Sequence, residues 1–196
     1  MIKTYNALLE CIEADSINFK SQNANLIIRW KNNLNSTPIN DQKYIWKYIK
    51  TMRYLEYHLN SFGILHKFCE LFYKWKLRKL SYKTGFQIPP NTCGKGLTIW
   101  HWGNIIINPH TQIGEFCTLN SNVLIGHKEE GQPAPQIGNN VFIGSGSKII
   151  GDIKINDNVI IGPNTIIVKN IPKDAVVVGN PARIIRIGMN QVNIKL

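Results

Sequence analysis

Histidine is the side chain of this sequence best suited to chemistry near neutral pH, because an imidazole can accept and release a proton there. His101 lies between Trp100 and Trp102, and His127 opens a polar segment of the chain. An imidazole can act as a general base that takes the proton of a hydroxyl as the oxygen attacks an electrophile. His101 and His127 are therefore candidate catalytic residues. The other histidines are expected to be ordinary helix or turn residues: His58, His66 and His110.

The residues alone leave the roles of these two histidines open. His101 interrupts an aliphatic register described below, so it is either a hydrogen-bonded structural residue or a general base. His127 is either a polar loop residue or part of an acceptor site. A base is usually oriented through its second ring nitrogen, and several groups would serve for His101. These are a backbone carbonyl or the carboxylates of Asp15, Glu115, Glu129 and Glu130.

A six-residue period runs from residue 107 to residue 172. Every sixth residue is Ile or Leu: Ile107, Ile113, Leu119, Ile125, Ile137, Ile143, Ile149, Ile155, Ile161 and Ile167. Gly or Asn usually follows, and a small or β-branched residue usually lies four positions after each aliphatic. This period fits neither an α-helix nor a long flat strand. It predicts a solenoid of short strands and turns, with three repeats closing one triangular coil and the aliphatics stacked inside. Between Ile125 and Ile137 the polar segment HKEEGQPAPQ predicts a loop that leaves the coil.

The first 80 residues have helical spacing instead. Apolar residues between Tyr44 and Leu59 recur on one face of a helix, and Pro38 with its Asn-rich surroundings marks a break before it. A second helix fits Ile64, Leu65, Phe68, Leu71, Phe72 and Trp75. The stretch 67–83 carries six Lys/Arg and one Glu. We favour a core-facing helix with a solvated basic side, and the alternative is contact with an anionic membrane surface.

Composition limits the classes of partner. The net charge of +11 suits a polyanion, but no nucleic-acid motif is visible and the basic residues are spread along the chain, so nucleic acid is not expected. Four dispersed cysteines predict buried free thiols, with no metal site. No apolar run spans a bilayer, and Glu10 and Glu13 interrupt the start of the chain. We therefore expect a cytoplasmic protein, peripheral at the inner face of the membrane if the basic helix touches lipid.

The repeats, the phrase GKGLTIWHWGNIIIN and the closing VVVGNPARII together resemble the left-handed β-helix acetyltransferases. Within them the chain is similar to the serine-acetyltransferase-like branch, which includes O-acetyltransferases of bacterial capsule, O-antigen and exopolysaccharide. The resemblance implies an α+β fold with a helical N-terminal domain over 1–84, a left-handed parallel β-helix over 85–187 and a C-terminal tail over 188–196. It also implies a homotrimer with active sites between subunits, and His101 as the base.

The resemblance further implies acetyl-CoA as the co-substrate, bound between adjacent coils. Turns of small residues would meet its pantetheine amides, and basic residues would meet its phosphates. The residues matching this site are Gly126, Gly144, Ser145, Gly146, Ser147, Lys148, Gly162, Pro163, Asn164 and Arg183. Trp100 and Trp102 are candidates for stacking on a sugar, with packing at the end of the coil as the alternative.

Two motif positions differ from the serine acetyltransferases. Those enzymes carry Asp-His where this chain has Trp100-His101, and an Arg-His pair where it has Pro133-Ala134. An amino-acid carboxylate needs a cation to meet it. We therefore predict O-acetylation of a sugar hydroxyl on a bacterial surface polysaccharide, capsule or O-antigen, or its precursor. The alternatives are serine O-acetyltransfer in cysteine biosynthesis and a CoA-binding β-helix scaffold without activity.

Overall fold

The computed structural model describes residues 1–20 and 41–196 and divides into two compact units, Met1–Thr84 and Gly85–Leu196. The break predicted around Pro38 lies outside the described residues. Among the described residues, no helix is both long enough and apolar enough to cross a bilayer, and no cluster of three potential metal ligands occurs.

The described part of the first unit is helical. Its helices are α1 (Tyr5–Lys20), α2 (Asp41–Leu59) and α3 (Ile64–Thr84), and α2 packs against both of the others. The helix predicted from Tyr44 is confirmed, and its apolar face is buried at Ile45, Tyr48, Ile49, Met52 and Leu55.

A cluster of charged side chains also lies inside this unit. The Arg53 guanidinium donates to Asp15 Oδ2 over 2.7 Å and to Glu56 Oε2 over 2.9 Å, and all three side chains are at most 2% exposed. Burial alone would lower the pKa of Arg53, but the carboxylates of Glu56 and Asp15 outweigh burial and raise it. The cation therefore stays charged and neutralises one of the two carboxylates.

Helix α3 contradicts the predicted orientation. Its buried residues are Glu70, Leu77, Leu80 and Thr84. The apolar residues expected to face the core are instead exposed: Ile64, Leu65, Phe68, Leu71, Phe72 and Trp75. The prediction of a helix was right, and the assignment of its apolar face to the core was wrong. The opposite side of α3, which carries Leu77 and Leu80, faces the interior instead.

The second unit is a parallel β-helix whose short strands form three sheets. Sheet A consists of β1 (Phe86–Gln87), β3 (Ile105–Ile107), β6 (Val123–Gly126), β9 (Lys148–Ile150) and β12 (Ile166–Ile167). Sheet B consists of β4 (Gln112–Ile113), β7 (Gln136–Ile137) and β10 (Lys154–Ile155), extended by bridges at Cys93 and Ile171. Sheet C begins with β2 (Thr98–Ile99), β5 (Thr118–Leu119), β8 (Phe142–Ile143), β11 (Ile160–Ile161) and β13 (Ala175–Val178). The chain visits A, B and C in turn, which makes triangular coils.

The six-residue period corresponds to the interior of this prism. All ten aliphatics of the repeat are at most 5% exposed, and nine of the ten residues four positions later are buried as well; the exception is Glu129, which is exposed. Parallel pairing aligns equivalent positions, so Ile125 lies beside Ile149 and Leu119 beside Ile143. Each coil thus covers the apolar residues of the next, which stabilises the stack by burial.

Sheet C ends in an antiparallel extension. β13 pairs with β14 (Arg183–Ile187), which pairs with β15 (Asn190–Lys195). The segment 188–196, predicted as a separate tail, therefore forms a turn and an edge strand of the same sheet. The described cysteines are free thiols, with Cys11, Cys93 and Cys117 buried and Cys69 half-buried. Burial raises the pKa of Cys117 to about 11, so this thiol stays protonated near neutral pH.

Candidate active site

His101 lies on an enlarged corner of the prism. Five residues, 100–104, separate the inward-facing Ile99 and Ile105, whereas three residues separate Leu119 from Val123 in the next coil. The two additional residues extend the chain outward, and His101 and Trp100 are exposed while Trp102 is half-buried. The residue that interrupts the aliphatic register is therefore on the outside, where a substrate can reach it.

The corners between sheets C and A form one edge of the prism, here called the C–A edge. It consists of the His101 corner, then residues 120–122, 144–146 and 162–164 in successive coils. Gly146 donates its N–H to the carbonyl oxygen of Ser121, and Asn164 donates to Ser145, so the corners are hydrogen-bonded along the edge. Most residues predicted to contact the cofactor are thus brought onto the same edge as His101.

The coils approach each other closely at this edge. A Cβ added to Gly144 would lie 2.6 Å from the backbone nitrogen of Pro163. Glycine is therefore required at residue 144 for coil packing, whatever binds outside. Gly146 and Asn164 have positive φ angles of 77° and 54°, which glycine and asparagine tolerate best.

The remaining predicted cofactor residues occupy different positions. Ser147 is fully buried and its hydroxyl donates to the carbonyl oxygen of Gly162 over 2.9 Å, so its side chain belongs to the interior. Lys148 is exposed at the start of β9, directly after the C–A edge. Gly126 ends β6 at another corner, and Arg183 lies on β14, where it donates to Asn193 Oδ1 over 3.1 Å.

His127 begins the loop 127–135, which leaves the coil between sheets A and B as predicted. The Asn108 amide nitrogen lies 3.0 Å from His127 Nδ1 and donates to it, so Nδ1 acts as the acceptor. This is a different edge of the prism, here called the A–B edge. Within one chain, His101 and His127 therefore border the same sheet from its two sides and do not share a corner.

The four carboxylates considered as partners of the base belong to three different parts of the chain. Asp15 is hydrogen-bonded to Arg53 inside the helical unit. Glu115 lies at the corner between sheets B and C, and Glu129 and Glu130 lie in the 127–135 loop, all exposed. None of these three glutamates lies on the C–A edge.

Residues 120–122 were not among the predicted site residues, although their corner lies between that of His101 and that of Gly144. Ser121 is half-buried there, and a Cβ added to Gly103 would lie 3.2 Å from Ser121 Cβ. The six-residue period could have located this corner, because it places residue 120 between the aliphatics Leu119 and Ile125 in the same register as residue 144.

Residues 134–169 match the family model "Bacterial transferase hexapeptide (six repeats)". The chain is 41% identical over 113 residues to the serine acetyltransferase of Synechocystis sp., which covers 56% of this chain and 45% of that protein. It is 41% identical over 106 residues to the serine acetyltransferase of Staphylococcus epidermidis, covering 53% and 50%. The chain thus spans about half the length of these relatives.

Solved structures support the architecture. A serine acetyltransferase in complex with CoA aligns with a TM-score of 0.67 at 21% identity, over 92% of this chain and 70% of that one. The soybean serine acetyltransferase apoenzyme aligns with a TM-score of 0.64 at 22% identity, over 90% and 68%. The fold is a left-handed parallel β-helix preceded by helices. The predicted fold class is therefore confirmed.

These relatives correct the predicted acceptor. The proteins and structures to which the chain is similar are named serine acetyltransferases, so the expectation of a capsule or O-antigen sugar was wrong. That expectation rested on the substitutions at Trp100 and Pro133-Ala134. Similarity across about a hundred residues of the β-helix is stronger evidence than two altered motif positions.

Proposed function

We propose that this protein transfers an acetyl group from acetyl-CoA to the hydroxyl of L-serine, with His101 as general base. The observation that carries the proposal is the exposed imidazole on an enlarged corner, on the same edge as the small-residue turns. The similarity to serine acetyltransferases supports the reaction and the acceptor.

The C–A edge suits an extended thioester substrate. Successive coils are about 4.8 Å apart, so the corners at residues 144–146 and 162–164 lie about 10 and 14 Å along the edge from the His101 corner. Pantetheine amides can meet backbone groups at the two distant corners, which would place the thioester end toward His101. Lys148 is an exposed cation beside this edge and would meet a phosphate.

The reaction needs one base and no covalent enzyme intermediate. His101 takes the hydroxyl proton as the serine oxygen bonds to the acetyl carbon. The carbon–sulfur bond then breaks, and the imidazolium returns its proton to the thiolate leaving group, which gives O-acetylserine and CoA. A backbone N–H at the corner would donate to the oxyanion in between.

In a homotrimer, His101 of one subunit and His127 of the next could border the same site, although they lie on different edges of one chain. His101 and His127 lie on two edges that border the same sheet, so the C–A edge of one subunit can face the A–B edge of the next. His127 and the loop 127–135 of the neighbour would then border the acceptor. This loop has Pro133-Ala134 where serine acetyltransferases have Arg-His, and its cation is Lys128. We assign Lys128 to the carboxylate of serine.

The test measures CoA thiol release by the purified protein from acetyl-CoA with and without L-serine. We expect serine-dependent release, and a loss of about 100-fold or more in His101→Ala, which removes a general base. His66→Ala is the matched control, because His66 lies on α3 and not on the β-helix, and it should keep full activity. Release without serine dependence, or unchanged turnover in His101→Ala, would refute the proposal. CoA binding without turnover would indicate a scaffold.

A further inference from the structure

Helix α3 has an exposed apolar face that the active-site proposal does not use. We call this the outer face; its residues are between 53% and 85% exposed, and they are Ile64, Leu65, Phe68, Leu71, Phe72, Trp75 and Tyr82. At 3.6 residues per turn they fall within an arc of about 120°. Large contiguous apolar patches on the surface of a folded protein mark interaction sites.

Basic residues border the outer face on both sides. Lys67, Lys74 and Arg78 follow one border, and Lys76 and Lys83 follow the other. The helix has one acidic residue, Glu70, which is turned inward and accepts from Lys74 over 2.6 Å and from Lys67 over 3.2 Å.

The charge of the chain is concentrated in the same unit. Residues 1–84 contain 14 Lys/Arg and six Asp/Glu, so they hold +8 of the net charge of +11. The field around α3 therefore favours an anionic partner.

We propose that the outer face of α3 binds the surface of an anionic lipid bilayer, with the helix lying in the plane of the interface. An apolar strip between two rows of Lys/Arg is the pattern of interfacial helices, which bury the apolar side and meet anionic headgroups with the cations. Trp75 and Tyr82 suit the headgroup level because their rings are amphipathic. Lys79 falls within the arc of the outer face, and its ammonium lies 3.8 Å from the Trp75 ring centroid. A long lysine side chain can keep its charge at the headgroup level while its methylenes lie along the apolar strip.

Symmetric pairing with the outer face of a second copy is a less suitable alternative. Pairing two outer faces would bring the bordering cations of one copy next to those of the other, and like charges across an interface repel. An anionic membrane supplies the opposite charge to both rows at once.

The test is flotation of the purified protein with phosphatidylcholine vesicles, with and without phosphatidylserine. We expect binding only when phosphatidylserine is present, and weaker binding as salt is raised. Lys76→Gln with Lys83→Gln should weaken binding about 30-fold, since each cation near the surface contributes about a fivefold change. Phe72→Ser with Trp75→Ser should weaken it by at least as much.

Matched controls lie on the β-helix. Lys154→Gln with Lys169→Gln removes the same charge from exposed positions there, and Val168→Ser replaces an exposed apolar residue; both should bind like the wild type. Far-UV circular dichroism verifies that each variant is folded. Because vesicle binding needs no acetyl transfer, the result is independent of the proposed reaction.

Two outcomes would overturn the proposal. One is equal binding to vesicles with and without phosphatidylserine, or no binding to either. The other is a larger assembly in light scattering that Phe72→Ser with Trp75→Ser disrupts while anionic vesicles remain unbound, which would assign the outer face to a second copy.

Discussion

The two units of this protein place similar residues in opposite environments. In the β-helix, the repeating Ile and Leu residues all point inward. In the helical unit, the charged group of Arg53, Asp15 and Glu56 is buried, while the apolar outer face of α3 is exposed. Apolar type alone therefore does not decide burial; what decides it is whether the same chain supplies a covering element.

The β-helix supplies its own cover because each coil repeats the previous one. Leu119 meets Ile143, and Ile143 meets Ile161, through the same parallel register. A single helix has no such internal partner. Its periodicity shows which residues share a face, but not which element, if any, covers that face.

The largest expected effect comes from breaking the buried charge group. Arg53→Ala removes the buried guanidinium that donates to Asp15 and Glu56, which should lower the free energy of unfolding of the helical unit by about 3–5 kcal/mol. Urea unfolding followed by far-UV circular dichroism measures it. Arg78→Ala, an exposed arginine on α3, should change stability by less than about 0.5 kcal/mol. Equal effects of the two variants would mean that the buried group contributes nothing specific.

A somewhat smaller effect is expected inside the β-helix. Ile161→Ala opens a cavity at a fully buried position and should cost about 3 kcal/mol. Its neighbour on β11, Ile160, is 41% exposed, so Ile160→Ala should cost less than about 1 kcal/mol. Urea unfolding of both variants compares the two faces of one strand. The inward assignment would be wrong if the order were reversed.

The smallest expected effect is on the pH dependence of the stability of the helical unit. His58 Nδ1 lies 2.9 Å from His66 Nδ1, and burial, followed by the nearby His66, lowers the pKa of His58 below 6.5. The unfolded chain then binds a proton more readily than the folded one, so helix stability should be full above pH 6.5 and decline as the pH falls below it.

Thermal unfolding followed by far-UV circular dichroism across this pH range measures the decline. His58→Gln should flatten the pH dependence, whereas His110→Gln on the β-helix should leave it unchanged. A decline that persists undiminished in His58→Gln would assign it to other groups.

Much of the β-helix could be predicted from its repeat, since ten aliphatics at one spacing define both strand and interior. The aliphatic register also singled out His101, as the residue where Ile or Leu was missing. Two features could not be predicted in the same way. The orientation of α3 depends on which of its sides meets α2, and the 188–196 segment pairs with β14 through backbone hydrogen bonds, which carry little side-chain signal. The acceptor depends on a few side chains outside the repeat, so periodicity says nothing about it.

The enlarged corner at residues 100–104 adds its two extra residues outside the prism, and the strands on either side keep their pairing with the next coil. The number of residues at this corner can therefore vary without a change in the stacked Ile and Leu residues of the interior. Insertions or deletions at this corner could therefore change the segment that carries His101 while the β-helix around it stays the same. Substrate preference and foldability would then be free to change independently.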